Sequence, residues 1–391
     1  MPKYRVQTLN AISPLGLQAF DAERYDVGNT VEKPHALLVR SFDLHTWSLP
    51  ASVEVIGRAG VGVNTIPVPQ LSLQGIPVLN TPGANANAVK ELVLAGMLMA
   101  SRHLNRAWHY TNQFTETDQV TLEQIVESTK KQFAGTELCG KTLGVIGLGS
   151  IGVKIANAAV HLDMRVIGYD PAMTVRNAWE LSPLVQQAHA LIEVLTQADF
   201  VTVHVPLNDK THHLFNERSM RSMKNGAILL NFARDHIVET EALLQALEDK
   251  KLRCYVCDFP NIALYQNPNV IALPHIGAST QEAEENCAVM VAQNVRDFLE
   301  QGHIRCSVNF PDVELARTDG YRLAITNANV PNMVAQISTV LSEANLNIID
   351  MINKSRGDLA YTLLDVDQPV TDVVFQKMAA IEGVIRVRRV G

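Results

Sequence analysis

The chain has 391 residues, 47% of them hydrophobic and 19% charged, the balance of a folded globular protein long enough for two or three domains of about 100–200 residues each. Its 33 basic and 40 acidic residues leave a net charge of −7 with no basic run, which speaks against nucleic acid as a partner. No apolar stretch reaches the roughly 18 uncharged residues of a membrane span, the start Met1-Pro-Lys-Tyr-Arg-Val6 lacks an apolar signal region, and five cysteines scattered over positions 139, 254, 257, 287 and 306 fit reduced thiols in the cytoplasm.

From the N-terminus, β-rich runs at Tyr4–Thr8, Ala36–Arg40, Val53–Gly57 and Pro77–Asn80 predict an α/β unit with a parallel sheet. The third run ends in Gly57-Arg58-Ala-Gly60-Val61-Gly62-Val-Asn-Thr65, a glycine-rich loop whose N–H groups suit a carboxylate and whose Arg58 suits a second anion. A long apolar helix is expected from about Val89 to Tyr110, and another from about Gln281 to Glu300 carries the chain back. Two crossings predict a hinged pair of domains that closes on a ligand and excludes water.

Between the crossings lies Gly144-Val-Ile-Gly147-Leu-Gly149-Ser150-Ile151-Gly152, followed 18 residues after its last glycine by Asp170 at the end of Arg165-Val-Ile-Gly-Tyr-Asp170. This is the order strand, glycine turn, helix, strand, acid. Glycines let the backbone approach a pyrophosphate, whose charge sits at the helix N-terminus, while the acid accepts ribose hydroxyls. A carboxylate there repels a 2′-phosphate, so NAD is expected rather than NADP. Apolar runs at Phe200–Val205, Ala227–Asn231, Tyr255–Asp258 and Val270–Leu273 alternate with helical segments such as Glu241–Glu248, which extends the parallel sheet.

Three of these runs end in chemistry. Leu230-Asn-Phe-Ala-Arg234 places a guanidinium where it grips a carboxylate bidentately and polarises the adjacent carbonyl. Tyr255-Val-Cys-Asp258 offers a carboxylate to the nicotinamide carboxamide, and Leu273-Pro-His275-Ile-Gly-Ala278 sets an imidazole beside a glycine turn, where it takes the hydroxyl proton as hydride leaves carbon. Cys254 and Cys257 form a CxxC inside an apparent strand, so they read as core thiols, and no metal site is expected. After Gly302 the order of runs is βαββαβ, a ferredoxin-like module.

These motifs together resemble the D-2-hydroxyacid dehydrogenases over nearly the whole length: Arg58-Ala-Gly-Val-Gly-Val-Asn64, Asn80-Thr-Pro-Gly-Ala-Asn85, Val89-Lys-Glu-Leu92, Gly147 to Gly152, Asn231 to Arg234, and Pro274 to Thr280. The resemblance implies a Rossmann-type cofactor domain over residues 91–280, a flavodoxin-like substrate domain over 1–90 and 281–310, and an ACT domain over 318–391. It also implies that Gly147, Gly149, Ser150, Ile151, Gly152, Asp170, Phe232, Ala233, Arg234, Asp258, His275, Gly277 and Ala278 contact NAD. Arg234 and His275 are then catalytic, while Arg58, Val61, Gly62 and Asn85 face the substrate. The branch it points to oxidises 3-phospho-D-glycerate to 3-phosphohydroxypyruvate in serine synthesis. Asn329 and Asn347 match positions that bind serine as an effector, and a homodimer or homotetramer is expected.

Two departures stand out. Family members carry a glutamate shortly after the match to Asp258, where it pairs with the histidine, yet residues 259–274 contain no Asp or Glu. His275 is then expected to be oriented by Asn261 or Gln266, by water, or by a carboxylate from elsewhere, and without a nearby anion its neutral, proton-accepting form is favoured. ACT domains commonly follow Pro with Gly at the first helix start, whereas Asn332 follows Pro331 here. Two other readings stay open: reduction of glyoxylate, hydroxypyruvate or 2-oxoglutarate on the same scaffold, and a dinucleotide-sensing corepressor that binds protein partners.

Overall fold

A computed structural model describes residues 3–391. The chain forms two compact units, Met1–Asn85 with Gln281–Gly391, and Ala86–Thr280.

In the first unit, β1 (Tyr4–Leu9), α1 (Pro14–Leu17), β2 (Tyr25–Gly28), β3 (Ala36–Val39), β4 (Val55–Arg58), α2 (Val68–Leu73) and β5 (Val78–Leu79) follow one another. All strands run parallel in the order β2-β1-β3-β4-β5, the flavodoxin-like doubly wound arrangement. Every residue of β3 is buried, so both faces are covered, which is why the run is apolar without alternation.

The second unit opens on α3 (Ala86–Arg102), α4 (Leu104–Thr111) and α5 (Gln119–Thr129). The single helix expected from Val89 to Tyr110 is two helices: His103 adopts φ 54 and breaks it, a left-handed turn that no Gly or Pro announces. Neither α4 nor α5 buries a residue. There follow β6 (Thr142–Ile146), α6 (Ser150–His161), β7 (Arg165–Tyr169), α7 (Val175–Glu180), β8 (Gln186–Gln187), α8 (Leu191–Gln197), β9 (Phe200–Val203), α9 (Glu217–Ser222), β10 (Ala227–Asn231), α10 (Thr240–Glu248), β11 (Leu252–Cys257) and β12 (Val270–Ala272). The parallel order β12-β11-β10-β9-β6-β7-β8 reverses between β6 and β9, the switch point at which such sheets bind dinucleotides.

The chain then continues in α11 (Gln281–Gln301), β13 (Tyr321–Ala328), α12 (Met333–Glu343), β14 (Ile348–Arg356), β15 (Leu359–Val366), α13 (Asp372–Ala379) and β16 (Val384–Val390). The last four strands form an antiparallel sheet, β14-β15-β13-β16, with the ferredoxin-like βαββαβ order. One face carries α12 and α13 over Leu323, Ile325, Leu364 and Val366. The other lies on the first unit's core, where Ala324, Tyr361 and Leu363 meet Phe298, Ile304 and Phe310. Arg322, fully buried, donates to both oxygens of Asp365 and to the carbonyls of Gln301, Leu315 and Ala316. Removing either charge would leave the other stranded in a low dielectric. Among the described residues no helix is long and apolar enough to cross a membrane, and no cluster of three or more His, Cys, Asp or Glu is suited to a metal.

Candidate active site

At the end of β6 the chain turns through Gly147 and Gly149 into α6, whose first turn is Ser150, Ile151 and Gly152. A Cβ at Gly152 would sit 1.9 Å from the carbonyl oxygen of Gly147, so only glycine lets the helix start this close to the turn. A Cβ at Gly149 would meet nothing within 4 Å; that side is open, and the N–H groups of the first helical turn have no intrahelical partner. Asp170, at the end of β7, accepts the N–H of Leu148 and that of Ala172, each at 2.8 Å. It therefore ties β7 to the glycine turn. A carboxylate has about four lone-pair sites, so two bonds leave acceptor capacity for ribose hydroxyls, and the turn fits a dinucleotide.

Across the switch point β9 ends at His204, which the sequence reading passed over. Burial keeps its imidazole neutral, down to about 3; Nε2 lies 2.8 Å from the Thr202 hydroxyl, and Nδ1 is buried without a partner.

The ends of β10, β11 and β12 carry the remaining residues of this unit. Buried Asn231 accepts the N–H of Ala233 at 3.1 Å and donates to the carbonyl of Arg234 at 2.8 Å. That clasp turns the chain so that Arg234 is exposed while Phe232 is buried; among the described residues the Arg234 guanidinium is tethered only to the Ala233 carbonyl, at 2.6 Å. Asp258, 2% exposed, accepts the N–H of Ile276 at 2.8 Å and of Gly277 at 2.7 Å. Both oxygens of this predicted carboxamide acceptor thus serve the loop that begins at His275. Ala278, one residue on, is exposed.

His275 itself has φ 57, a backbone state costing of order 1–3 kcal/mol for a non-glycine residue unless its surroundings enforce it. The Asp258 bonds to the two following residues do so. The imidazole is exposed and meets Phe259 edge-on, ring centres 5.2 Å apart. Neither expected amide holds it: Asn261 accepts the Ala263 N–H, and the Gln266 amide donates to the Tyr265 hydroxyl. A backbone brace and an aromatic edge stand where a carboxylate partner was sought. Cys254 and Cys257 are buried in β11, and burial pushes their thiols up to about 12 and about 11, which makes them packing residues.

In the other unit, Arg58 closes β4 beside Val39 of β3, and Arg40 follows β3 near enough for its charge to act on Arg58. The Arg58 guanidinium lies over Gly60, where a Cβ would fall 1.5 Å from Nη1. It donates to the Ala59 carbonyl at 2.6 Å, while its Nε is buried without a partner. Burial, reinforced by the Arg40 charge, lowers Arg58 from its usual value. Arg40 pairs with Glu284 of α11. The loop carrying Val61 and Gly62 is held by Asn80, whose amide donates to the Val61 carbonyl at 2.8 Å, and by the Thr81 N–H, which donates to the Gly60 carbonyl at 3.1 Å. Asn85 keeps a buried carbonyl oxygen with no donor. The holding role of Asn80 escaped the sequence reading because the fold, not spacing along the chain, brings it to the loop.

In the antiparallel module, Asn329 donates to the Gly357 carbonyl, and its N–H to that of Asp358, clasping the β14–β15 hairpin. Asn347 donates its N–H to Asp367. The pairings Ala328–Leu359 and Ile348–Val366 put the two asparagines at opposite ends of the sheet, on the order of 20 Å apart at about 3.4 Å per residue. Asn332 takes φ 71 at the start of α12, a left-handed conformation that Asn tolerates.

A dinucleotide turn, with an exposed arginine after β10 and an exposed imidazole after β12 of the same sheet, is the equipment of an NAD-dependent dehydrogenase. Residues 94–277 match the D-isomer specific 2-hydroxyacid dehydrogenase, NAD binding domain. The chain is 34% identical over 323 residues to a D-3-phosphoglycerate dehydrogenase of Methanocaldococcus jannaschii, covering 80% of this chain and 57% of that protein. With the D-3-phosphoglycerate dehydrogenase of Haemophilus influenzae it shares 33% identity over 345 residues, 85% of this chain and 80% of that one. A glyoxylate reductase structure from Paecilomyes thermophila superposes with a TM-score of 0.63 at 25% identity, covering 79% of this chain and 99% of the other. The chain belongs to the D-isomer specific 2-hydroxyacid dehydrogenases, and its cofactor is NAD.

Proposed function

We propose that the chain oxidises 3-phospho-D-glycerate to 3-phosphohydroxypyruvate, the 91–280 domain holding NAD and the domain of 1–90 with 281–310 holding the substrate. The observation that carries the substrate choice is Arg58 at the end of β4, whose buried Nε is still unpaired and on which the Arg40 charge acts. Two guanidiniums suit a phosphate dianion better than an alkyl tail. The names of the relatives agree with this choice.

Arg234 binds the C1 carboxylate and polarises the C2 oxygen, and His275 removes the C2 hydroxyl proton. When bound, NAD would supply the hydride acceptor, and Gly147 to Gly152, Asp170, Phe232, Ala233, Asp258, Gly277 and Ala278 would hold it. Arg58, with Arg40 and the Val61 and Gly62 amides, grips the phosphate, and Asn85 offers its unpaired oxygen to a substrate hydroxyl. Residues 318–391 act as an ACT domain with L-serine as effector. Because Asn329 and Asn347 stand at opposite ends of one sheet, a single serine touching both is shared between two copies, which makes the enzyme a homodimer or homotetramer.

The test is NADH formation from 3-phospho-D-glycerate, D-glycerate and D-lactate side by side, with and without L-serine. The reading expects kcat/KM for the phosphorylated acid to exceed the others by at least about 100-fold, the difference two charge-assisted contacts supply. Equal use of the unphosphorylated acids would overturn the substrate choice in favour of a general 2-oxo acid reductase.

A further inference from the structure

Beneath the turn that presents Arg234, the nucleotide unit buries three polar side chains: Asn231 at the end of β10, and Tyr255 and Cys257 on the neighbouring β11. Asn231 pairs with Cys257 in the strand register, and Tyr255 stands two residues earlier, beside Leu229. Residues at that alternate spacing share one face of the sheet. A hydroxyl or amide is tolerated at such depth only with its hydrogen bonds made.

The bonds made here form one chain. Asn231 uses both polar atoms of its amide: Oδ1 accepts the Ala233 N–H at 3.1 Å, and Nδ2 donates to the Arg234 carbonyl at 2.8 Å and to the Tyr255 hydroxyl at 3.2 Å. Burial pushes the Tyr255 phenol far up, so it keeps its proton and, while accepting from Asn231, still has an O–H to give. The Cys257 sulfur stands beside it, close enough to interact with that O–H. Cys257, protonated and packed in the core, donates in turn to the Phe259 carbonyl at 3.4 Å. The chain thus begins at the turn of Arg234 and ends at the residue whose ring meets His275.

A hydroxyl engaged on both sides has a fixed direction, and the amide it receives is fixed with it. We propose that Tyr255 is a positioning residue for the reaction: its hydroxyl locks the Asn231 amide and, through that amide, the turn that aims Arg234. With phenylalanine at this position the ring keeps its place in the core around Leu229 and Cys257. One Nδ2 hydrogen then has nothing to bond, and the amide that defines the turn is held on one side only. The effect on the reaction rests on the proposed reading of Arg234 as the group that binds the substrate carboxylate; the hold on the turn does not.

The experiment is a double-mutant cycle of Tyr255→Phe with Arg234→Gln in the full chain. It is read as kcat/KM for whichever of 3-phospho-D-glycerate, D-glycerate and D-lactate the enzyme uses best, with NADH affinity and exchange of the Ala233 amide hydrogen measured on the same proteins. Tyr255→Phe is expected to lower kcat/KM by about tenfold, the factor that one ordinary hydrogen bond represents. It is expected to leave NADH affinity within about twofold and to speed Ala233 exchange by at least about fivefold. In the Arg234→Gln background the same change is expected to lower kcat/KM by less than about twofold, because a residue that acts through Arg234 has nothing left to position. Equal losses in both backgrounds would assign the hydroxyl to the scaffold and overturn the proposal, as would an unchanged kcat/KM in Tyr255→Phe, a loss of NADH affinity with it, or unchanged Ala233 exchange. Undiminished kcat/KM in Arg234→Gln, with Ala233 exchange faster in Tyr255→Phe, falls on the proposed function instead: the hold on the turn stands and the catalytic reading of Arg234 is lost.

Discussion

In the nucleotide unit, polar side chains at three strand ends hold the neighbouring turns by their backbone N–H groups: Asp170 takes Leu148, Asn231 takes Ala233, and Asp258 takes Ile276 and Gly277. In the other parallel sheet the strand ends carry cations, Arg40, paired with Glu284, and Arg58, whose Nε is buried with no partner among the described residues. The first arrangement fixes loop geometry before any ligand arrives. The second leaves a donor that an anion completes. A third arginine sharpens the contrast: Arg322 lies in the same unit as Arg58, yet its guanidinium is consumed by Asp365 and three carbonyls. Arg322 is therefore structural, while the part-buried Arg58 keeps an unpaired Nε.

Substitutions separate these roles. Arg322→Ala strands the Asp365 carboxylate and is expected to lower stability by about 3–5 kcal/mol, read by denaturant unfolding; a loss under about 1 kcal/mol would show that solvent reaches the pair. Arg58→Gln is expected to leave the unfolding midpoint in place and to lower kcat/KM for 3-phospho-D-glycerate by the equivalent of about 1.5–3 kcal/mol, with little change for D-glycerate. A loss shared equally by both substrates would place Arg58 in the scaffold, beside Arg322. Asp258→Asn keeps one acceptor for two N–H groups and is expected to cost about 1–3 kcal/mol in the order of the His275 loop. Faster amide exchange at Ile276 and Gly277 would report it; unchanged exchange would remove Asp258 as the brace.

How much of this was legible along the chain follows the same division. The glycine turn and Asp170 lie within one β-turn-α-β stretch, where local spacing carries the geometry, and both parallel sheets and the βαββαβ order are as expected from apolar runs. The break at His103 was hidden because a histidine, not a glycine, takes the left-handed turn. What orients His275 was sought among side chains, whereas the loop is set by bonds to the backbone of the residues after it. The charge of Arg40 reaches Arg58 only through the fold, and Asn329 and Asn347, 18 positions apart in sequence and expected to bind an effector together, are separated by the length of a strand.

The claim on which the rest depends is that His275 performs chemistry on a coenzyme site the fold has already shaped. His275→Asn, assayed for turnover and titrated with NADH by fluorescence in the same preparation, tests it most directly. The account predicts turnover reduced by about 10²- to 10⁴-fold with NADH affinity changed by less than about threefold, under 1 kcal/mol. Turnover that survives the substitution, or NADH binding lost with it, would contradict the assignment.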